Sequence, residues 1–372
     1  MRYMVIFVML CVGVWFVGCG DSHKEAEFEH LNPQELTQIL HFGENEKRTF
    51  VMKGTFDKKP IKAYLTLAYP PIALYHKDTL NALDMQARIT FVDDAYHYAV
   101  YKIENLAFHI DHNVLSVKGK WSDKEKTPSD KGLDKFEGEN EHSVFILTQD
   151  MDMPLNQADV INASFEAQNK QEKKYYKYIE RPIIKCNNTM SVASCEKINT
   201  ALNDNKDTKA LGEALQAEVV KDYDENMQWD TDSIQQQSVY FVDKHIIMLR
   251  NDTYRYEGGA HGSKSMNMQA FSVQSGESLP QDIKSLFKAE SLVQVRTKII
   301  EYLVKEYGKD MFFNLDEVEI PEVFFMNERG IVFVWQEYDI TPYAAGIITL
   351  GISYKELKDY ANMQSPYGYL FQ

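Results

Sequence analysis

From residue 48 to residue 149 the apolar side chains recur at every second position, a period that admits strands and excludes helices. Phe50, Met52, Gly54 and Phe56 alternate with polar neighbours. Asp57-Lys58-Lys59-Pro60 reads as a turn, and Ile61-Lys62-Ala63-Tyr64-Leu65-Thr66-Leu67 returns as the second arm of a hairpin. Further strands are predicted over residues 87–92, 96–103, 106–110, 114–121 and 142–148, with a tight turn at His112-Asn113. Short sequential strands of this kind predict an antiparallel meander closing into a barrel or sandwich. Residues 122–141 are charged and Gly-bearing and read as a loop before the last strand.

The period then changes. Residues 151–174 are polar, contain Pro154 and are expected to be a linker. Beyond them, Leu211, Leu215, Val219 and Tyr223 fall on one face of a helix placed at 207–227, and Leu292, Arg296, Ile299, Leu303 and Tyr307 define a second long helix. Strands are predicted over 175–184, 238–241, 245–251, 266–273, 323–326, 330–336 and 346–353, with a short helix over 354–360. Most strand pairs are joined by short turns, so the class is α+β with an antiparallel sheet, not doubly wound. The expected organisation is a β-meander or barrel-like domain at 44–150, the linker, and an α+β domain with two long helices at 175–372.

The N-terminus reads as an address. Arg2 precedes an apolar run too short for a comfortable membrane span and suited to a signal peptide. Phe16-Val17-Gly18-Cys19 resembles the bacterial lipobox, which implies a lipoprotein signal peptide at 1–18, cleavage before Cys19 and lipid on its thiol. Residues 19–43 would then be a tether, with a short helix starting at Asn32-Pro33. Gly20 after the lipidated position lacks the usual inner-membrane retention signal, so in a Gram-negative envelope the outer membrane is favoured. Of the four Cys, Cys11 leaves with the leader and Cys19 carries lipid. Cys186 and Cys195 remain, and in an exported chain they are expected to form a disulfide. A zinc site is the rival reading, with no Cys-x-x-Cys and no nearby His to support it.

Lys and Arg total 40 against 55 Asp and Glu, a net charge of −15. Phosphate backbones need a basic face, so nucleic acid is excluded as the expected partner. The acidic field suits a cationic partner, or serves only solubility.

Two segments stand out chemically. The first is Tyr254-Arg255-Tyr256-Glu257-Gly258-Gly259-Ala260-His261-Gly262, where three glycines in five positions call for positive φ or close backbone approach. His261 reads either as a ligand or general base, with Glu257 nearby, or as a structural residue fixing the connection. It is not a phosphate loop, and no nucleophile elbow accompanies it. The second is Glu337-Tyr338-Asp339-Ile340-Thr341-Pro342-Tyr343-Ala344-Ala345-Gly346, an aromatic connection that reads as a binding edge or as a strict turn set by Pro342 and Gly346. His109 and His112 are a weak metal candidate, and the carboxylate-rich stretches 123–141 and 222–232 read as solvated surface. No cofactor and no metal is expected.

Together these segments carry a family resemblance. Tyr178 to Ile184, Ile198-Asn199, the turn Tyr256-Glu257-Gly258-Gly259-Ala260-His261-Gly262, the stretch from Phe271 to Leu279, the stretch from Asp282 to Lys288 and that from Gly330 to Ala345 resemble the extracellular domain of the RsiV-type anti-sigma factors, also appended to some peptidoglycan deacetylases and lipoproteins. The likeness covers about residues 175–362. Separately, Gly54-Thr55-Phe56 and Gly119-Lys120-Trp121-Ser122 resemble a small β-meander module of bacterial exported proteins.

The RsiV-type resemblance implies non-catalytic recognition of a lysozyme-like protein or of peptidoglycan at the cell surface. The catalytic Asp and His motifs of the deacetylases are absent from this sequence, and no enzyme activity is expected. The candidate binding residues are Tyr256, Gly258, Gly259, His261, Gly262, Tyr338, Pro342 and Tyr343. The alternatives are a peptidoglycan-modifying enzyme and a structural envelope module that binds through the β-domain.

Overall fold

The structure, a computed structural model, describes residue 28 and residues 33–41, 46–56, 59–69, 84–91, 98–122 and 144–372. The leader, Cys19, most of the tether and the charged stretch 123–141 lie outside the described residues.

Helix α1 (Pro33–Leu40) precedes six strands: β1 (Glu46–Phe56), β2 (Lys59–Tyr69), β3 (Asp84–Phe91), β4 (Tyr98–Asp111), β5 (Val114–Ser122) and β6 (Val144–Gln149). Each pairs antiparallel with the next, and β6 pairs back onto β1 through Met52–Phe56, so the meander returns to its first strand. Gly54 permits that return: a Cβ there would sit 1.9 Å from the Ile146 carbonyl oxygen. The expected alternation is realised in the interior, where Phe50, Met52 and Phe56 meet Ile61, Leu65, Leu67, Phe108, Val117, Phe145 and Leu147. His112 and Asn113 both take positive φ (47° and 65°), the conformation of a two-residue type I′ hairpin turn.

The expected linker is corrected by the structure. Residues 155–168 form strand β7 (Leu155–Gln168), which pairs with β1 on one side and with β8 (Lys174–Cys186) on the other. Its polar residues disguise it in the sequence. Asp159 is buried and accepts a 2.9 Å hydrogen bond from Arg48 Nε on β1. Lys47 pairs with the buried Glu180 on β8. Half-polar composition here reflects partnered charges inside the sheet, not solvation.

After β8 come α2 (Val192–Asn203) and α3 (Thr208–Lys221), then β9 (Thr231–Val242), β10 (Ile246–Glu257) and β11 (Ser263–Ser272). These strands extend the sheet to eleven, in the order β11-β10-β9-β8-β7-β1-β2-β3-β4-β5-β6. Every pair is antiparallel except β8–β9, which runs parallel and therefore needs the α2–α3 crossover. Ser191 and Asp207 start the two helices by accepting hydrogen bonds from Ser194 N and Ala210 N. Helix α3 ends at Lys221, six residues short of the predicted limit.

Cys186 at the end of β8 is bonded to Cys195 in α2, with Cα atoms 6.1 Å apart. The buried Asn199 completes the same junction: its amide accepts from Ile184 N (2.8 Å) and donates to Ile184 O (2.9 Å), standing in for a neighbouring strand.

Helix α4 (Leu292–Tyr307) buries Val295, Ile299 and Leu303. Strands β12 (Val323–Met326), β13 (Gly330–Trp335) and β14 (Ile348–Ser353) form a separate antiparallel sheet, followed by α5 (Tyr354–Leu357). The largest core joins this small sheet and α4 to Tyr240, Met248, Met266 and Ala270 of the large sheet. The molecule is therefore α+β with predominantly antiparallel sheets, as the sequence predicts. Among the described residues, no helix is long and apolar enough to cross a membrane.

Candidate functional site

The two segments singled out in the sequence meet. The Gly258–Gly262 turn joins β10 to β11, and β11 is the edge of the large sheet. The 336–346 segment joins β13 to β14 in the small sheet and lies along that edge. An unpaired edge presents bare N–H and C=O groups. Here side chains cover several of them. The Gln336 amide accepts from Met266 N (2.9 Å) and donates to Met266 O (2.8 Å), Glu337 accepts from Lys264 N (2.8 Å), and the Tyr343 hydroxyl donates to Gly262 O (2.8 Å).

Glycines shape the turn. Gly258 and Gly259 hold φ of 89° and 98°, values that side chains rarely adopt. Gly262 is close-packed instead: a Cβ there would lie 2.5 Å from the Tyr254 ring. The backbone thus passes over two aromatic rings, since a Cβ at Gly258 would lie 2.8 Å from Trp229. Tyr256 steadies the turn by donating from its hydroxyl to Gly259 O (3.1 Å).

His261 carries the junction outward. Its ring stacks on Tyr343, with centroids 3.6 Å apart and planes 17° from parallel. Its Nδ1 lies 3.0 Å from Gly262 O and its Nε2 lies 3.2 Å from the Tyr338 hydroxyl. Tyr338 is 54% exposed and holds a positive φ of 71°, unusual for a side chain of its size. Pro342 opens the short 3₁₀ turn that carries Tyr343, and Gly346 closes it at a φ of 69°. Burial, and then the nearby Glu337, push the Tyr343 hydroxyl above its ordinary range, so it remains a donor.

All eight candidate binding residues therefore belong to one surface. Trp229, missed by the sequence reading, adjoins it with 63% of its surface exposed. A lone Trp within the acidic 222–232 stretch was its only signal. The partners of His261 are a carbonyl and a phenol, while Glu257 lies 3.4 Å from Arg255. Among the described residues, no group of three or more His, Cys, Asp or Glu side chains could hold a metal ion. His109 instead packs against Phe28, and His112 lies beside Asp111.

The loop, the small sheet and α4 are contiguous in the chain and coincide with a known sequence family. Residues 284–355 match the DUF3298 family. It is described as a protein of unknown function. The DUF3298 match includes Tyr338, Pro342 and Tyr343 and begins after the Gly258–Gly262 turn. No curated protein matches the chain. Among solved structures, a member of the DUF3298 family from Bacteroides fragilis is 16% identical with a TM-score of 0.47, covering 58% of this chain and 96% of that one. A DUF3298 family protein from Pseudomonas aeruginosa is 13% identical with a TM-score of 0.43, covering 57% of this chain and 97% of that one.

Proposed function

We propose that this chain is a lipid-anchored, non-enzymatic protein of the cell envelope that binds a cationic, cell-wall-related partner of the lysozyme class. The observation that carries the reading is the union of the Gly258–Gly262 turn and the Tyr338–Tyr343 loop in one exposed aromatic surface. Tyrosines with a free face and a polar tip are the side chains that protein interfaces favour as anchors. Glu257 and Glu337 immediately precede these two segments and Asp339 lies within the second, in a chain of net charge −15. That charge would speed encounter with a basic protein at low salt. The RsiV-type motifs point the same way, and the lipobox-like Phe16-Val17-Gly18-Cys19 supplies the anchor.

Immobilised lysozyme should retain the chain at low salt, release it as salt rises, and lose muramidase activity in its presence. Tyr338→Ala should weaken retention at least tenfold, as expected for an interface anchor. No retention at low salt together with no inhibition refutes the lysozyme reading. The anchor is tested separately: Cys19→Ala should yield an unprocessed or soluble chain. A variant of mature length that still partitions wholly with membranes would rule the lipid out.

A further inference from the structure

The opposite face of the same sheet carries a second feature. Strands β9, β10 and β11 lie side by side, and register places Gln237 beside Asn251 and Asn251 beside Asn267. The next row outward is Gln235, Thr253 and Ser265. Side chains two apart on a strand share a face, so these six residues form one array of amides and hydroxyls. One row inward on the same face, Val239 and Leu249 are buried in the core beneath α2. Helix α3 lies over β7 and β8, and the array begins beside it. Asn267 is exposed, and Gln235, Asn251, Thr253 and Ser265 are half-buried.

Two observations set this array apart from ordinary polar surface. Its six residues carry no charge in a chain with 95 charged side chains, and at its border the Arg181 guanidinium donates to Gln235 Oε1 (3.1 Å). It also contains an acceptor that lacks a donor. Gln237 is 8% exposed, and its Oε1 is buried with no hydrogen-bond partner among the described residues. A buried unsatisfied carbonyl is costly, and such groups usually answer to something. Its Nε2 reaches Gln269 Oε1 at 3.4 Å, a long contact that yields easily to rotation.

We infer that this face binds a neutral glycan strand. Amide side chains each offer a donor and an acceptor, which suits hydroxyl and acetamido groups that do the same. An array of amides and hydroxyls spread over three adjacent strands fits an extended polymer better than a compact ligand. On binding, a sugar hydroxyl donates to Gln237 Oε1. The site is separate from the His261 surface and stands whether or not that surface binds lysozyme.

The test titrates the full chain calorimetrically with a soluble pentamer of β-linked N-acetylglucosamine and, in parallel, with the glucose pentamer of cellulose. Binding to at least one is expected, with little change between low and high salt. Salt-dependent binding would assign the signal to charged groups elsewhere and overturn the site. Gln237→Leu keeps the volume and removes the orphan acceptor, so its melting temperature should stay level or rise while glycan affinity falls about tenfold. Asn267→Glu, at an exposed position, should lower affinity by a similar factor. Val293→Ser, on the exposed side of α4, is the unaffected control. No heat with either pentamer, or unchanged affinity in both face variants, overturns the inference.

Discussion

The imidazole of His261 lies flat on the phenol of Tyr343, and the Tyr343 hydroxyl in turn holds the carbonyl of Gly262, the residue after that histidine. Ring and backbone are gripped by the same tyrosine. The stack is therefore the hinge pin between the turn of the large sheet and the loop of the small one.

Removing the ring should separate these two contributions. His261→Ala loses the stack, worth about 0.5–1.5 kcal/mol, while the Tyr343–Gly262 hydrogen bond survives. Chemical denaturation should show a loss of about 1 kcal/mol. Retention on lysozyme should fall more steeply than that, because Tyr338 loses its Nε2 partner as well. A drop in retention no larger than the loss in stability would assign His261 a purely structural role.

Gln336 should matter for stability out of proportion to its surface position. Gln336→Ala removes two hydrogen bonds and leaves the Met266 N–H and C=O without them at the edge of β11. An expected cost of about 1–3 kcal/mol follows from stranding buried or half-buried polar groups. Gln336→Glu should be intermediate, since it keeps the acceptor and loses the donor. Urea unfolding of the two variants checks the order.

The Cys186–Cys195 bond closes a small loop, and loops of this size contribute about 2–3 kcal/mol. Paired Cys→Ser substitution should lower stability by that amount, and a reductant should do the same to the parent chain but not to the variant. The readout is the unfolding midpoint with and without reductant. Asn199 still holds α2 to Ile184 in the variant, so the native fold should persist.

Asp252 sets a pH dependence. Burial pushes its carboxyl above the usual range, and Glu180 pushes the same way, while Arg250 opposes them. The folded chain thus holds this proton at pH values where the unfolded chain has released it. Stability contributed by the group is complete below the unfolded value near 4 and is lost as pH rises through the higher folded value. Asp252→Asn should therefore gain stability relative to the parent at pH 7, and the gain should shrink toward pH 4. A gain that grew on acidification would contradict this assignment.

Much of the fold was legible because burial and period agreed. The β1–β2 hairpin followed from strict alternation, and α4 from the spacing of Leu292, Arg296, Ile299, Leu303 and Tyr307. Strand β7 was not legible, because Asp159, paired with Arg48, and Asn162 are both buried and carry no apolar signal. The parallel β8–β9 pair was hidden for another reason: register between distant strands is set by where the crossover helices dock. The candidate site divides similarly. Gly258, Gly259 and Tyr338–Tyr343 advertised themselves by composition. Their meeting depends on Gln336 reaching Met266, a contact between residues 70 apart that no local pattern encodes.

Strand β1 has three neighbours, and β7 links it to β8. Cutting the chain before β7 would take Asp159 away from Arg48 and the β7 edge away from β1, and cutting it after β7 would leave β8 with a bare edge. The two halves are thus joined as a weld joins plates, not as a hinge does. A load on the N-terminal tether would reach the His261 surface through continuous hydrogen-bonded sheet. The protein should accordingly melt in one step, and neither half should be obtained soluble alone.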